Sequence, residues 1–140
     1  MSEQKATNLY AAFETSKTVE KEGVYIKYGE KTKIRIARAG GSNTAFSLRY
    51  EVLMRPYRRL AQTNHMDKEV QAEIMRQLYA ETVVRGWEGV NDRAGNELIF
   101  SVANCIQLFT DLPDLFDDVV NHSLNSALFR EEIREEDAKN

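Results

Sequence analysis

The stretch VYIKYGEKTKIRI, residues 24–36, constrains the fold more than any other part of the chain, because its polarity alternates on both sides of a glycine. Val24, Ile26 and Tyr28 alternate with Tyr25 and Lys27, and Thr32, Ile34 and Ile36 with Lys31, Lys33 and Arg35, the period-two pattern of two half-buried strands. A two-residue turn at Gly29-Glu30 would set Tyr28 opposite Lys31 and Ile26 opposite Lys33, mixing apolar and basic side chains on one face. A three-residue loop, Gly29-Glu30-Lys31, pairs 28 with 32, 26 with 34 and 24 with 36, keeping one apolar and one basic face. That register is the expected one, although glycine is not where such loops usually place their left-handed residue. A two-stranded ribbon with one apolar face is marginal alone and must be covered.

The cover is written in a helical period. After ARAGGSN, Ser42 or Asn43 can cap a helix whose apolar positions Phe46, Tyr50, Leu53, Tyr57 and Leu60 recur at three and four, and Pro56 should split it near Met54-Arg55. A second helix follows TNHMD, with Met66, Val70, Ile74 and Leu78 spaced by four and Tyr79 and Val83 extending the face as far as Gly86. Asp92-Arg93-Ala94-Gly95 has the chemistry of a type I turn, flanked by short strands at 88–90 and 97–100. Trp87 should belong to the core with Leu98 and Phe100 beside it, and Gly89 falls inside this block. Ser101 should cap a helix over 102–109, and Pro113 should open another, with Leu115, Phe116, Val119, Val120, Leu124, Leu128 and Phe129 as its apolar face. The expected architecture is α+β and mostly helical, an N-terminal β-hairpin plus a second short β-hairpin packed on four or five helices. Residues 1–22 read as a flexible arm, 23–130 as a single globular domain and 131–140 as a charged tail.

At 140 residues the chain has the length of one domain with one core. A formal charge of -3 excludes a uniformly basic nucleic-acid binder. The single cysteine, Cys105, cannot form an internal disulfide, which fits a reducing cytosol. MSEQKATNLYAAFETSK lacks the apolar centre of a signal peptide, and no run approaches the roughly 18 apolar residues of a membrane span. A cytoplasmic protein with no membrane contact is expected.

No catalytic constellation emerges. NDRAGNE offers Asn91, Asp92, Asn96 and Glu97 as oxygen ligands, but an EF-hand needs its bidentate acid six residues after the glycine, where Ser101 stands. Cys105, His65 and His122 sit in no nucleophile motif, so a packed thiol and surface imidazoles are expected. Asp111, Asp114, Asp117 and Asp118 could do acid–base or metal work, yet acids at a helix start are already favoured by its dipole. No cofactor and no metal are expected, and the chain reads as a non-enzyme.

Charge distribution says more. Between residues 31 and 59 stand eight bases (Lys31, Lys33, Arg35, Arg38, Arg49, Arg55, Arg58, Arg59) against the single acid Glu51. Residues 111–140 hold nine acids against three bases. The basic segment could bind phosphates, with Tyr25, Tyr50 and Tyr57 for stacking, which makes a small nucleic-acid-binding protein the alternative reading. It could instead meet the acidic region of another copy head to tail, giving rings or spirals. The two regions could also neutralise each other within one fold.

The order of these blocks resembles the tail assembly chaperones of long-tailed bacteriophages over about residues 24–129. The resemblance rests on the step IARAGGSN, the block GWEGVNDRAGNELIFS, and the helix pair parted by DLPDLF. It implies a non-catalytic protein of the host bacterial cytoplasm that binds the tape measure protein, recruits the tail tube protein, oligomerises, and is absent from the mature virion. Nucleic acid is not an implied partner. Arg49, Arg55, Tyr57, Arg58, Arg59, Asp114, Asp117 and Asp118 are the residues expected to serve partner binding or self-association.

Overall fold

The structure is a computed structural model and describes residues 6–130. The charged tail read at 131–140 lies outside the described residues. In order, the elements are α1 (Leu9–Phe13), α2 (Lys17–Glu22), β1 (Val24–Lys27), β2 (Lys33–Ile36), α3 (Thr44–Met54), a 3-10 turn (Arg55–Tyr57), α4 (Arg58–Gln62), α5 (Lys68–Thr82), β3 (Val84–Glu88), α6 (Val102–Asp111), α7 (Pro113–Ser123) and a 3-10 turn (Ser126–Phe129). The class is α+β, helices packed on an antiparallel three-stranded sheet of order β1-β2-β3.

The hairpin register is the one that keeps the faces pure. Val24 pairs with Ile36 and Ile26 with Ile34, and the Tyr28 N–H donates to the Thr32 carbonyl at 2.8 Å to close the three-residue loop. Ile34 and Ile36 are buried on one face. On the other, the Lys33 ammonium sits 4.2 Å from the Tyr25 ring centroid and 3.6 Å from Glu88.

The third strand departs from the sequence reading, which carried the second helix to Gly86. Asp67 caps α5 by accepting from the N–H groups of Glu69 and Val70, and the helix runs only to Thr82. The β-branched pair Val83-Val84 then enters a strand along β2, with Ile34 opposite Trp87 and a bulge where Ile36 meets Val84. The second hairpin is correspondingly small, a bridge between Asn91 and Glu97 with the Leu98 N–H donating to the Val90 carbonyl at 2.9 Å. Pro56 sits in the 3-10 turn that parts α3 from α4. The last helix is also shorter than its apolar stripe suggests: α7 stops at Ser123, and Leu124 is exposed.

Rings organise the core between sheet and helices. Tyr79 of α5 is met edge-on by Phe46 of α3 and Phe116 of α7, at 5.6 and 5.4 Å between centroids. Val83, Cys105, Phe109 and Val119 complete it, all essentially buried. A smaller cluster joins Val19, Val24 and Phe129. Residues 17–22, assigned from sequence to the arm, thus form a helix with a buried side chain in that cluster.

The ARAGGSN step is the junction of the fold. The N–H groups of Ala37, Arg38 and Ala39 donate to the carbonyls of Val83, Glu20 and Ser123. Asn43 precedes α3 without a side-chain cap bond. Its buried amide instead donates to the carbonyls of Arg38 and Thr82, both at 2.9 Å. Gly41, at φ 55°, is required because the Glu20 carboxylate lies where a Cβ would stand.

Candidate partner-binding surfaces

Among the described residues, half of the basic segment is paired with acids that lie outside residues 111–130. Lys33 meets Glu88, Arg38 meets Glu20, Arg49 meets Glu81 and Arg58 lies 3.8 Å from Glu51. Arg35 donates to the Glu22 carbonyl and Arg85 to that of Lys21, so two guanidinium groups satisfy the end of α2. Arg49 forks onto Glu81, its second bond 3.2 Å long; this holds the Glu81 carboxyl below its ordinary value, against a smaller opposing effect of burial. Arg55 and Arg59 are exposed and make no ion pair among the described residues. Tyr57 is half-buried in the 3-10 turn.

The acids divide in the same way. Asp118 accepts from the Tyr28 hydroxyl at 2.6 Å and lies 3.3 Å from His122 Nε2. Burial, then this bond, raise the Tyr28 pKa far above its ordinary value. Asp114 and Asp117 are exposed. The structure therefore does not gather the eight expected partner residues. It leaves Arg55 and Arg59 on the 3-10 turn and α4, and Asp114 and Asp117 on α7.

The turn block builds a groove. Asp92 Oδ1 accepts from the N–H groups of Ala94 and Asn96, and Gly95 takes φ 88°. Trp87 Nε1 donates to the Leu98 carbonyl at 2.7 Å, and the indole meets Phe100 edge-on at 5.0 Å. Gly89, at φ 71°, lies so close to Lys31 that a Cβ would overlap its carbonyl, and its own carbonyl accepts from Thr32. Ser101 caps α6 through the Asn104 N–H at 3.0 Å. Pro113 opens α7 straight after α6 ends, leaving Leu112 non-helical at the corner and 46% exposed. Between this corner and the turn runs an apolar groove of about 570 Å³ floored by Leu98, Leu108 and Leu112. It adjoins a second hollow of about 340 Å³ bounded by Val90 and Leu115, sharing Asn91, Leu108 and Leu112 with it.

Two features carry weight that periodicity did not show. None of the 11 residues of α3 is buried, although Phe46, Leu48, Tyr50, Val52 and Leu53 spread around it. Leu48 and Val52, 67% and 44% exposed, lie on the face away from Phe46 and in line with Arg55. Apolar residues on more than one face are the mark of a helix with partners on more than one side. The other is Glu20, buried among Thr15, Arg38 and the Ser42 N–H. A Gly-Gly-Ser step signals a backbone nest for an anion, but nothing in the sequence says which carboxylate fills it.

Cys105 is fully buried, and burial pushes its thiol up to about 12, so no thiolate is available near neutrality. Among the described residues no group of three or more His, Cys, Asp or Glu side chains is placed to hold a metal ion, and no helix is long and apolar enough to cross a membrane.

A family model described as YdaY prophage protein matches residues 41–140, the part that begins at the Gly-Gly junction and includes the α3–α4 arm, the groove and α7. No curated protein and no solved structure shows a significant match.

Proposed function

The chain belongs to the YdaY prophage protein family and is therefore phage-derived, and from that premise we propose that it is a tail assembly chaperone. In this reading it is non-catalytic, works in the bacterial cytoplasm, holds the tape measure protein while the tail is built, recruits tail tube subunits, and does not remain in the virion. The observation that carries the reading is the apolar outer face of α3, Leu48 and Val52 in line with Arg55, with Leu60 and Arg59 also exposed past the 3-10 turn. A helix with that face uncovered is suited to lie along an amphipathic helix of a partner, the usual groove-and-helix mode of protein capture. Arginines beside the apolar stripe add reach to acidic side chains flanking such a helix.

The use of the basic residues supports protein binding over nucleic-acid binding. Five of the eight bases between 31 and 59 are engaged by carboxylates or a backbone carbonyl. What remains among the described residues is a sparse set, Arg55 and Arg59 with Lys31 apart from them in the β1–β2 loop, and Asp114 and Asp117 left over elsewhere, a distribution fitted to steering copies into head-to-tail register.

Co-expression with the tape measure protein of the same prophage tests the proposal. The partner should move from the pellet to the soluble fraction and co-purify with this chain, and Leu48→Asp with Val52→Asp should abolish both effects. Binding of single-stranded DNA at moderate salt, with no effect on the tape measure protein, would replace this reading by the nucleic-acid alternative.

A further inference from the structure

Helix α1 is capped by the Asn8 side chain, which accepts from the Ala11 N–H, yet it buries no residue. Leu9, Tyr10 and Phe13 project from one side of it and are 63%, 79% and 70% exposed. Five residues are far too few for a helix stable by itself in water, so a helix of this length with all its large apolar side chains exposed is complete only when another surface covers them. After α1, Glu14 is extended, and the chain is pinned again where the Ser16 N–H donates to the Phe129 carbonyl at 2.8 Å. The α1 segment thus projects from a fixed point.

We propose that α1 of one copy docks in the groove beside Leu112 of a second copy. This rests on the oligomeric part of the function proposed above and supplies its contact. The groove is open, floored by Leu98, Leu108 and Leu112, and bordered by polar residues; the Asn104 and Gln107 amides donate to the Ile99 carbonyl and to Asp111, which leaves their side-chain oxygens to accept from the N–H groups of an incoming helix turn. Donor and acceptor are different surfaces of the same chain, so when each copy donates to the next, and not back to the copy that fills its own groove, the contact is heterologous and repeats from copy to copy.

Area decides how strong one contact is. Two aromatic side chains bury about 150–250 Å² each, and with Leu9 and the matching groove walls the total is about 1,000 Å², the lower edge of a specific interface. Single contacts are therefore weak and copies separate when free. Held side by side on a long partner, they reinforce one another through effective concentration.

The test uses two variants of the full chain and sedimentation velocity. Tyr10→Ser with Phe13→Ser removes the donor and leaves the groove. Leu112→Asp spoils the groove, leaves the donor, and replaces an exposed residue at a helix N-cap with a side chain favoured there, so the fold is kept. The wild-type chain should show a weight-average mass rising with concentration into the hundreds of micromolar, and each variant alone should stay monomeric. Mixed, the two variants should form one-to-one pairs that grow no further, since only one donor and one groove remain intact. A monomeric wild-type chain over that range, or a donor variant that self-associates like wild type, overturns the proposal. So does a Leu112→Asp chain that loses the tape measure protein while its self-association is unchanged, which would assign the groove to that partner. Failure of the co-expression test with these sedimentation results intact would remove the chaperone reading and leave this contact standing.

Discussion

Replacing Glu20 should destabilise the chain more than its place in a polar N-terminal segment suggests. Its carboxylate accepts from Thr15 Oγ1 at 2.6 Å, from the Ser42 N–H at 2.8 Å and from Arg38 Nη1 at 3.3 Å, and its side chain is 5% exposed. Hydrogen bonds to a charged group contribute about 1.5–3 kcal/mol each, while the part owed to Arg38, itself about a quarter exposed, is screened by water. Glu20→Ala leaves the Ser42 N–H and the guanidinium without their acceptor and should cost about 3 kcal/mol, whereas Glu20→Gln keeps the shape and should cost about 1–2 kcal/mol. For a chain of this size about 3 kcal/mol lowers Tm by about 12 °C. Burial pushes the Glu20 carboxyl up, but the bonds from Thr15 and Ser42 and the charge of Arg38 outweigh it, and the net pKa is lowered from 4.5. The unfolded chain therefore binds this proton more tightly than the folded one, so the stabilisation is complete above that ordinary value and is lost as the pH falls through the lower folded value. Urea melts followed by Trp87 fluorescence should show a constant gap between wild type and Glu20→Gln from pH 7 to about 5.5, closing below about pH 4. A Glu20→Ala chain within about 0.5 kcal/mol of wild type, or a gap that persists in acid, would refute the buried-carboxylate account.

Three further outcomes are expected. Gly95 has open space where a Cβ would go, so Gly95→Val should cost only the left-handed strain of about 1–2 kcal/mol; Gly89→Ala adds a clash with the Lys31 carbonyl and should cost about 3 kcal/mol or more, and urea melts giving the reverse order would count against the placement of the turn. Cys105 in the native chain at pH 8 should react with a disulfide reagent only through opening of the fold, so prompt labelling before denaturant is added would contradict its burial. Reversing Arg55, Arg58 and Arg59 to glutamate should change stability by no more than about 0.5 kcal/mol, since among the described residues only Arg58 has even a distant ion pair, yet weaken self-association at low salt; unchanged sedimentation would remove the electrostatic steering.

What the sequence disclosed follows the range of the forces involved. The β1–β2 register was readable because a slip by one residue would have turned Ile34 and Ile36 to the basic face, a penalty contained within 13 residues. Local chemistry likewise placed the break at Pro56 and the start of α6 at Ser101. The strand at Val84–Glu88 was not readable, because Leu78, Tyr79 and Val83 carry a helical period straight into it and only pairing with β2, some fifty residues earlier, makes it a strand. Glu20 and Asn43 were hidden for the same reason: their partners come from four separate segments, and a carboxylate or amide of identical sequence context is normally solvated. The candidate surface was half legible. Basic residues could be counted, but which of them are engaged, and the uncovered Leu48 and Val52, emerge only once α3 is docked on α5 through Phe46 and Arg49.

The proposal that this chain works by holding another protein along the α3–α4 arm is tested most directly by amide hydrogen exchange on the chain alone and mixed with the tape measure protein of the same prophage, the partner proposed for it. The account predicts exchange slowed at least about tenfold across residues 44–62 in the complex, with the capped interior of α5 unchanged in both states. Protection confined to other segments, or identical exchange with and without the partner, would contradict it.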